Sequence, residues 1–94
     1  MIENIKTYKV LLSGRVQGVG FRYFTESVAS KYGINGNVAN TIDGKVEIVG
    51  QGEEEELKQF FEEVKKGPAF SVITDVKTEE LESSKRYNIF KIKY

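Results

Sequence analysis

Hydrophobic positions change their period several times along the chain. Over residues 7–13, Thr-Tyr-Lys-Val-Leu-Leu-Ser, they alternate loosely, and the run is apolar enough for a central strand. From Phe21 the spacing lengthens. Phe21, Phe24, Val28 and Tyr32 recur at three and four residues, which lays them on one helical face, and Gly33 suits the end of that helix. Residues 34–40 predict a second strand. The Asp43-Gly44 pair predicts a hairpin turn over residues 41–44, so residues 45–51 read as a third strand antiparallel to the second. Residues 53–66 carry the clearest helical pattern, with Leu57, Phe60, Phe61 and Val64 at i, i+3, i+4 and i+7. Glutamates fill its first turn and Lys65 and Lys66 its last, matching the helix dipole, and Glu62 is spaced to pair with Lys66. Gly67-Pro68 stops it. Residues 72–78 and 87–94 are the remaining strand candidates.

The order is β-α-β-β-α-β with a terminal strand, an α+β arrangement whose simplest packing is a split βαβ sheet with both helices on one face. This topology has a functional consequence. The first and second strands run the same way, so their ends lie at one edge of the sheet. The segment after the first strand therefore becomes a neighbour of residues 38–41. Asn40 shares the parity of Val38, and if Val38 faces the helices, Asn40 reaches toward the start of the first helix.

That edge receives Gly14-Arg15-Val16-Gln17-Gly18-Val19-Gly20-Phe21-Arg22. A glycine-punctuated turn between a strand and a helix lets the backbone bend tightly and turn its N–H groups inward. The helix start adds unpaired donors and partial positive charge, and Arg22 adds a planar fork of charged donors. These parts describe a phosphate cradle over residues 15–20. Asn40, beside it, is neither base nor nucleophile near neutral pH, but its carboxamide can hold a water in position. Such a site suits transfer of an activated phosphoryl group to water, where positioning and electrostatics do most of the work.

Composition narrows the chemistry. The chain has 94 residues, which predicts one domain over 1–94. It has no Cys and no His, which removes disulfides, thiolate metal sites, phosphocysteine and phosphohistidine intermediates, and the commonest general base. Ser13 and Ser27 have no partner base for nucleophilic catalysis, and the Glu53–Glu56 run reads as a solvated helix start rather than a metal site. Basic and acidic residues balance at 14 each, against the basic excess usual in nucleic-acid binders. No apolar run is long enough for a membrane span, and residues 1–7 lack a signal-peptide core, so the expectation is a cytoplasmic protein.

The motifs resemble those of the acylphosphatase family. Gly14-x-Val16-Gln17-Gly18-Val19-x-Phe21-Arg22 fills every fixed position of its first signature, and Gly36-Asn37-Val38-Ala39-Asn40-Thr41-Ile42-Asp43-Gly44-Lys45-Val46, continuing to Gly52, is similar to its second. The resemblance extends into Lys66-Gly67-Pro68 and the Phe90–Tyr94 tail. It implies a ferredoxin-like βαββαβ sandwich, an antiparallel sheet with two helices on one face plus a short C-terminal strand. It also implies hydrolysis of acyl phosphates to carboxylate and inorganic phosphate, with no metal, no cofactor and no phosphoenzyme. By the resemblance Arg22 binds phosphate and Asn40 positions the water. Arg15, Val16, Gln17, Gly18, Val19 and Gly20 form the substrate-binding loop, and Thr41 steadies the asparagine. In some members the terminal carboxylate approaches the arginine, which would bring Tyr94 there. One position departs from the pattern: Asn37 stands where the family usually has an aromatic residue, on the face opposite Asn40.

Taken one at a time, these residues have plainer readings. Arg22 alone reads as a solvated helix residue, Asn40 as a turn cap, and the glycine loop as a connector. The joint pattern outweighs them. The expected partner is a small-molecule acyl phosphate or inorganic phosphate, bound by a monomer. The alternatives are a non-catalytic anion- or partner-binding module of the same family, and an RNA-binding domain. The latter is disfavoured because the third strand offers no aromatic platform for bases.

Overall fold

The computed structural model describes residues 4–82 and 84–94. Its elements are β1 Ile5–Arg15, α1 Phe21–Tyr32, β2 Asn35–Asn40, β3 Val46–Glu53, α2 Glu54–Val64, β4 Val72–Glu80 and β5 Phe90–Lys93. The strands form one sheet in the order β4-β1-β3-β2-β5.

β1 and β2 both pair antiparallel with β3 and so run the same way and end at one edge. Val10, Ile48 and Val38 stand abreast across these strands, as do Leu12, Val46 and Asn40. All but Asn40 are buried. They face the two helices, whose Phe21, Val28, Ala29, Leu57, Phe60, Phe61 and Val64 complete a single apolar cluster. The helical period and the strand period thus meet in one layer, and burial of these side chains is the main stabilising term. Lys31 and Tyr32 of α1 bond Glu63 of α2 on the outer side of the helix pair.

The expected antiparallel pairing holds for β4, β1, β3 and β2, and the short C-terminal strand β5 adds parallel to β2, so the sheet as a whole is mixed. Other expectations need correction. After β4 the chain does not turn back beside it. Residues 81–82 and 84–89 lie at the far end of the sheet, held by Leu81 N–H to Thr7 O at 2.8 Å and by the Gln51 side chain, and β5 then runs in the direction of β2. The last strand is also shorter than residues 87–94. The Tyr87 backbone bonds the side chains of Gln51 and Asn35, which removes it from the ladder. α2 ends at Val64, so Lys65 is its cap and no basic residue lies in its last turn. The expected Glu62–Lys66 pair does not form among the described residues, since Lys66 stands past the helix end; Glu63 makes the ion pair, across to Lys31.

Candidate active site

The segment after β1 alternates between anchors and turns. Val16 and Phe21 are buried and Val19 packs on the core, so three side chains pin the loop to the domain. Between them Gly18 and Gly20 take the left-handed backbone at φ 74° and 77°, a region a Cβ disfavours. Gly20 is the N-cap of α1 and offers no side chain to it, and no acid stands in the helix's first turn. Among the described residues no hydrogen bond takes up the N–H groups of Gly18, Val19 or Gly20. The first helical bond runs from Phe24 N–H to Gly20 O at 3.0 Å, so the amides of residues 21–23 also lack helical partners. This is a concentrated set of donors at the positive end of a helix dipole, the arrangement that holds an oxyanion.

Two ties join this loop to the end of β2. Gln17 Nε2 donates to Thr41 O at 2.9 Å and to Lys45 O at 2.8 Å, bridging loop and turn directly behind Asn40. Arg22 Nη1 donates to Lys93 O at 3.4 Å, a long bond, and Lys93 is paired with Ala39, the residue before Asn40. The start of α1 and the end of β2 therefore meet at the same edge. Asn40 is exposed, ends β2, and makes no side-chain hydrogen bond within the described residues. Arg15 is exposed at the end of β1, across from Val72.

The Thr41 hydroxyl is engaged inside its own turn. It donates to Asp43 and accepts from Lys45 N–H at 3.0 Å. That bond to Thr41 is the main reason the Asp43 carboxyl sits below its usual range, with Lys45 a smaller contribution. Thr41 thus stiffens the turn behind Asn40, and among the described residues no hydrogen bond joins the two side chains.

Tyr94 meets Arg22 through its ring, with the guanidinium carbon 4.8 Å from the ring centre, a cation–π contact. Its hydroxyl lies 3.0 Å from that of Tyr23, and this bond raises the Tyr94 phenol above its usual value, with burial second. No pattern in the sequence singles out Tyr23. Its partner is 71 residues away, and only the parallel placement of β5 brings them together. Surface grooves lie elsewhere, such as one of about 330 Å³ beside Tyr8, Leu57 and Phe61. A site built from backbone donors needs only a shallow concavity to seat a tetrahedral anion.

Fold and loop together define an α+β protein of the split βαβ class, with a run of backbone donors between β1 and α1. The sequence matches the model of the acylphosphatase family over residues 8–92. It is 48% identical over 87 residues to the acylphosphatase of Bacillus licheniformis, covering 93% of this chain and 97% of that one. The fold is similar to the crystal structure of acylphosphatase from Bacillus subtilis, with a TM-score of 0.91 at 44% identity, covering 95% and 99% of the two chains. It is similar also to part of full-length HypF in its phosphate- and nucleotide-bound form, with a TM-score of 0.88 at 33% identity, where all of this chain covers 12% of the other. The chain belongs to the acylphosphatase family.

Proposed function

We propose that this chain hydrolyses acyl phosphates to a carboxylate and inorganic phosphate, with the loop of residues 15–20 and Arg22 holding the phosphoryl group and Asn40 orienting the attacking water. The enzyme is a hydrolase acting on acid anhydrides. The water oxygen forms a bond to phosphorus as the bond to the acyl carboxylate oxygen breaks. The electron pair leaves on the carboxylate, and the water's proton passes to a non-bridging phosphate oxygen. A carboxylate is a good leaving group, so no general acid is needed. The positive charge that a metal would otherwise supply comes from Arg22 and the amides at the start of α1.

The observation that carries this reading is the run of N–H groups, from Gly18 through the first turn of α1, that no hydrogen bond among the described residues takes up, at the edge where β2 ends in Asn40. Arg22 is within reach of that run and is lightly held, by one long bond and an aromatic face, which leaves its fork available to an oxyanion. No helix of the described residues is long and apolar enough to cross a membrane. The reading extends to a monomer acting on small-molecule acyl phosphates in the cytoplasm, which gel filtration and cell fractionation test.

Hydrolysis of benzoyl phosphate in the presence of EDTA tests the activity. Arg22→Ala is expected to lower kcat/KM by about 10²-fold or more and to weaken phosphate binding. Asn40→Ala is expected to keep phosphate binding while kcat falls by about 10²-fold or more. Near-normal kcat in Asn40→Ala would overturn the water-orienting role. Tight phosphate binding with no turnover in the unmodified chain would favour a non-catalytic module.

A further inference from the structure

Among the described residues, six large apolar side chains are exposed: Tyr23, Ile42, Phe70, Val72, Ile89 and Tyr94. Scattered singly, such residues need no explanation. Here five of the six lie at the end of the sheet that carries the loop of residues 15–20. Ile42 stands two residues past Asn40, in the turn that Gln17 holds through Thr41 O at 2.9 Å. Val72 is paired with Arg15, the first residue of the loop. Phe70 lies two residues earlier, in a segment that packs on the start of α1, where a Cβ on Gly67 would come within 3.2 Å of the Phe21 ring. Tyr23 follows Arg22, and Tyr94 stacks on it. Ile89 alone is at the other end of the sheet, where its carbonyl accepts from Gly36 N–H.

Phe70 adds an independent sign. It is the one non-glycine residue at positive φ among the described residues, at 71°, and it is 83% exposed. A bulky side chain is disfavoured in that region. The strain is not offset by burial, since the ring is presented to solvent. Strained backbone that displays a side chain is a feature of binding edges.

A phosphoryl group seated on the loop amides would carry its acyl substituent outward, toward this rim. An acetyl or carbamoyl group ends within two bonds of the bridging oxygen and would touch little of it. The rim runs from the β4 side to the β5 side of the sheet, roughly 19 Å at ordinary strand spacing. Resting on the reading of the site as one for acyl phosphates, we propose that the rim receives a long aliphatic acyl chain, and that the preferred substrate class is long-chain acyl phosphates. Ile42 and Phe70 are then specificity-determining residues, lying outside the phosphate loop and contacting the chain alone.

The test is a series of acetyl, butanoyl, octanoyl and dodecanoyl phosphates, each held below the concentration at which it self-associates. The expected result is a kcat/KM that climbs by up to about fourfold per methylene while the chain stays over the rim, then levels off. Octanoyl phosphate should exceed acetyl phosphate by about tenfold or more. Ile42→Ser and Phe70→Ser change exposed residues and should flatten the climb while leaving the acetyl phosphate value unchanged. A flat series in the unmodified chain overturns the proposal and leaves acyl phosphate hydrolysis standing, as does an equal loss on acetyl and octanoyl phosphates in the variants. Absence of hydrolysis across the whole series overturns the reading of the site, and this inference with it.

Discussion

The carboxamide of Gln17 donates to two main-chain carbonyls at once, Thr41 O at 2.9 Å and Lys45 O at 2.8 Å. One residue of the loop after β1 thereby sets the position of the turn after β2. Among the described residues Asn40 carries no side-chain hydrogen bond, so its placement against the loop depends on this bridge and on the β2–β3 ladder. Gln17→Ala should lower stability by about 1–3 kcal/mol, the cost of two lost bonds to partly buried carbonyls. It should also reduce kcat/KM for an acyl phosphate by about tenfold or more, because small misplacement of a positioning group is costly. Denaturant unfolding and steady-state kinetics on the same variant measure both.

The second prediction concerns how β2 approaches β3. Gly36 sits at φ 142°, paired with Gly50, and a Cβ there would lie 1.9 Å from Val49 O. Main chain cannot yield as a side-chain tip can. Gly36→Ala should cost about 3 kcal/mol or prevent folding. A urea midpoint close to that of the unmodified chain would contradict the close approach of the two strands.

Gln51 fastens β5 from a distance. Its side chain donates to Lys85 O at 2.8 Å and Thr7 Oγ1 at 3.0 Å and accepts from Tyr87 N–H at 2.9 Å, all at a buried position. Gln51→Leu keeps the volume but strands these partners, at about 2–3 kcal/mol. Amide exchange should quicken through residues 85–93. Because Lys93 and Tyr94 contact Arg22, phosphate affinity should weaken too. Hydrogen exchange and phosphate titration read the two effects.

A fourth prediction is a pH dependence between the helices. Glu63 Oε1 accepts from Tyr32 OH at 2.7 Å and Lys31 Nζ at 3.0 Å, and these bonds, Tyr32 first, hold its carboxyl below the usual 4.5. A depressed carboxyl stabilises the fold when ionised. Its contribution is complete well above pH 4.5 and fades as pH falls below that value through the lowered folded one. Glu63→Gln should therefore melt lower than the unmodified chain at neutral pH, with the gap closing in acid. Melting temperatures from neutral pH down to about 2 check the sign.

Much of this architecture is legible from local pattern. Phe21, Phe24, Val28 and Tyr32 mark α1, and Gly33 ends it in the left-handed conformation expected of a helix terminus. Asp43-Gly44 marks the hairpin that joins β2 to β3. The shared direction of β1 and β2, hence the meeting of the glycine loop with Asn40, follows from strand order and handedness. In each case residues near in sequence, or a rule about chain connection, carry the signal.

What the sequence alone determined, then, is the set of elements, the donor-rich loop and the residues facing it, because periodicity, turn chemistry and motif are properties of contiguous residues. The tertiary structure alone decided the parallel pairing of β5 with β2, the stacking of Tyr94 on Arg22 with its bond to Tyr23, the double bridge from Gln17, and the exposure of Ile42, Phe70 and Val72 at one end of the sheet. Those contacts join residues up to 72 apart, and no local propensity encodes them. They exist because the crossover after β4 must close the sheet's free edge while Gln51 and Asn35 satisfy its polar backbone, and that demand is met only once the whole chain is folded.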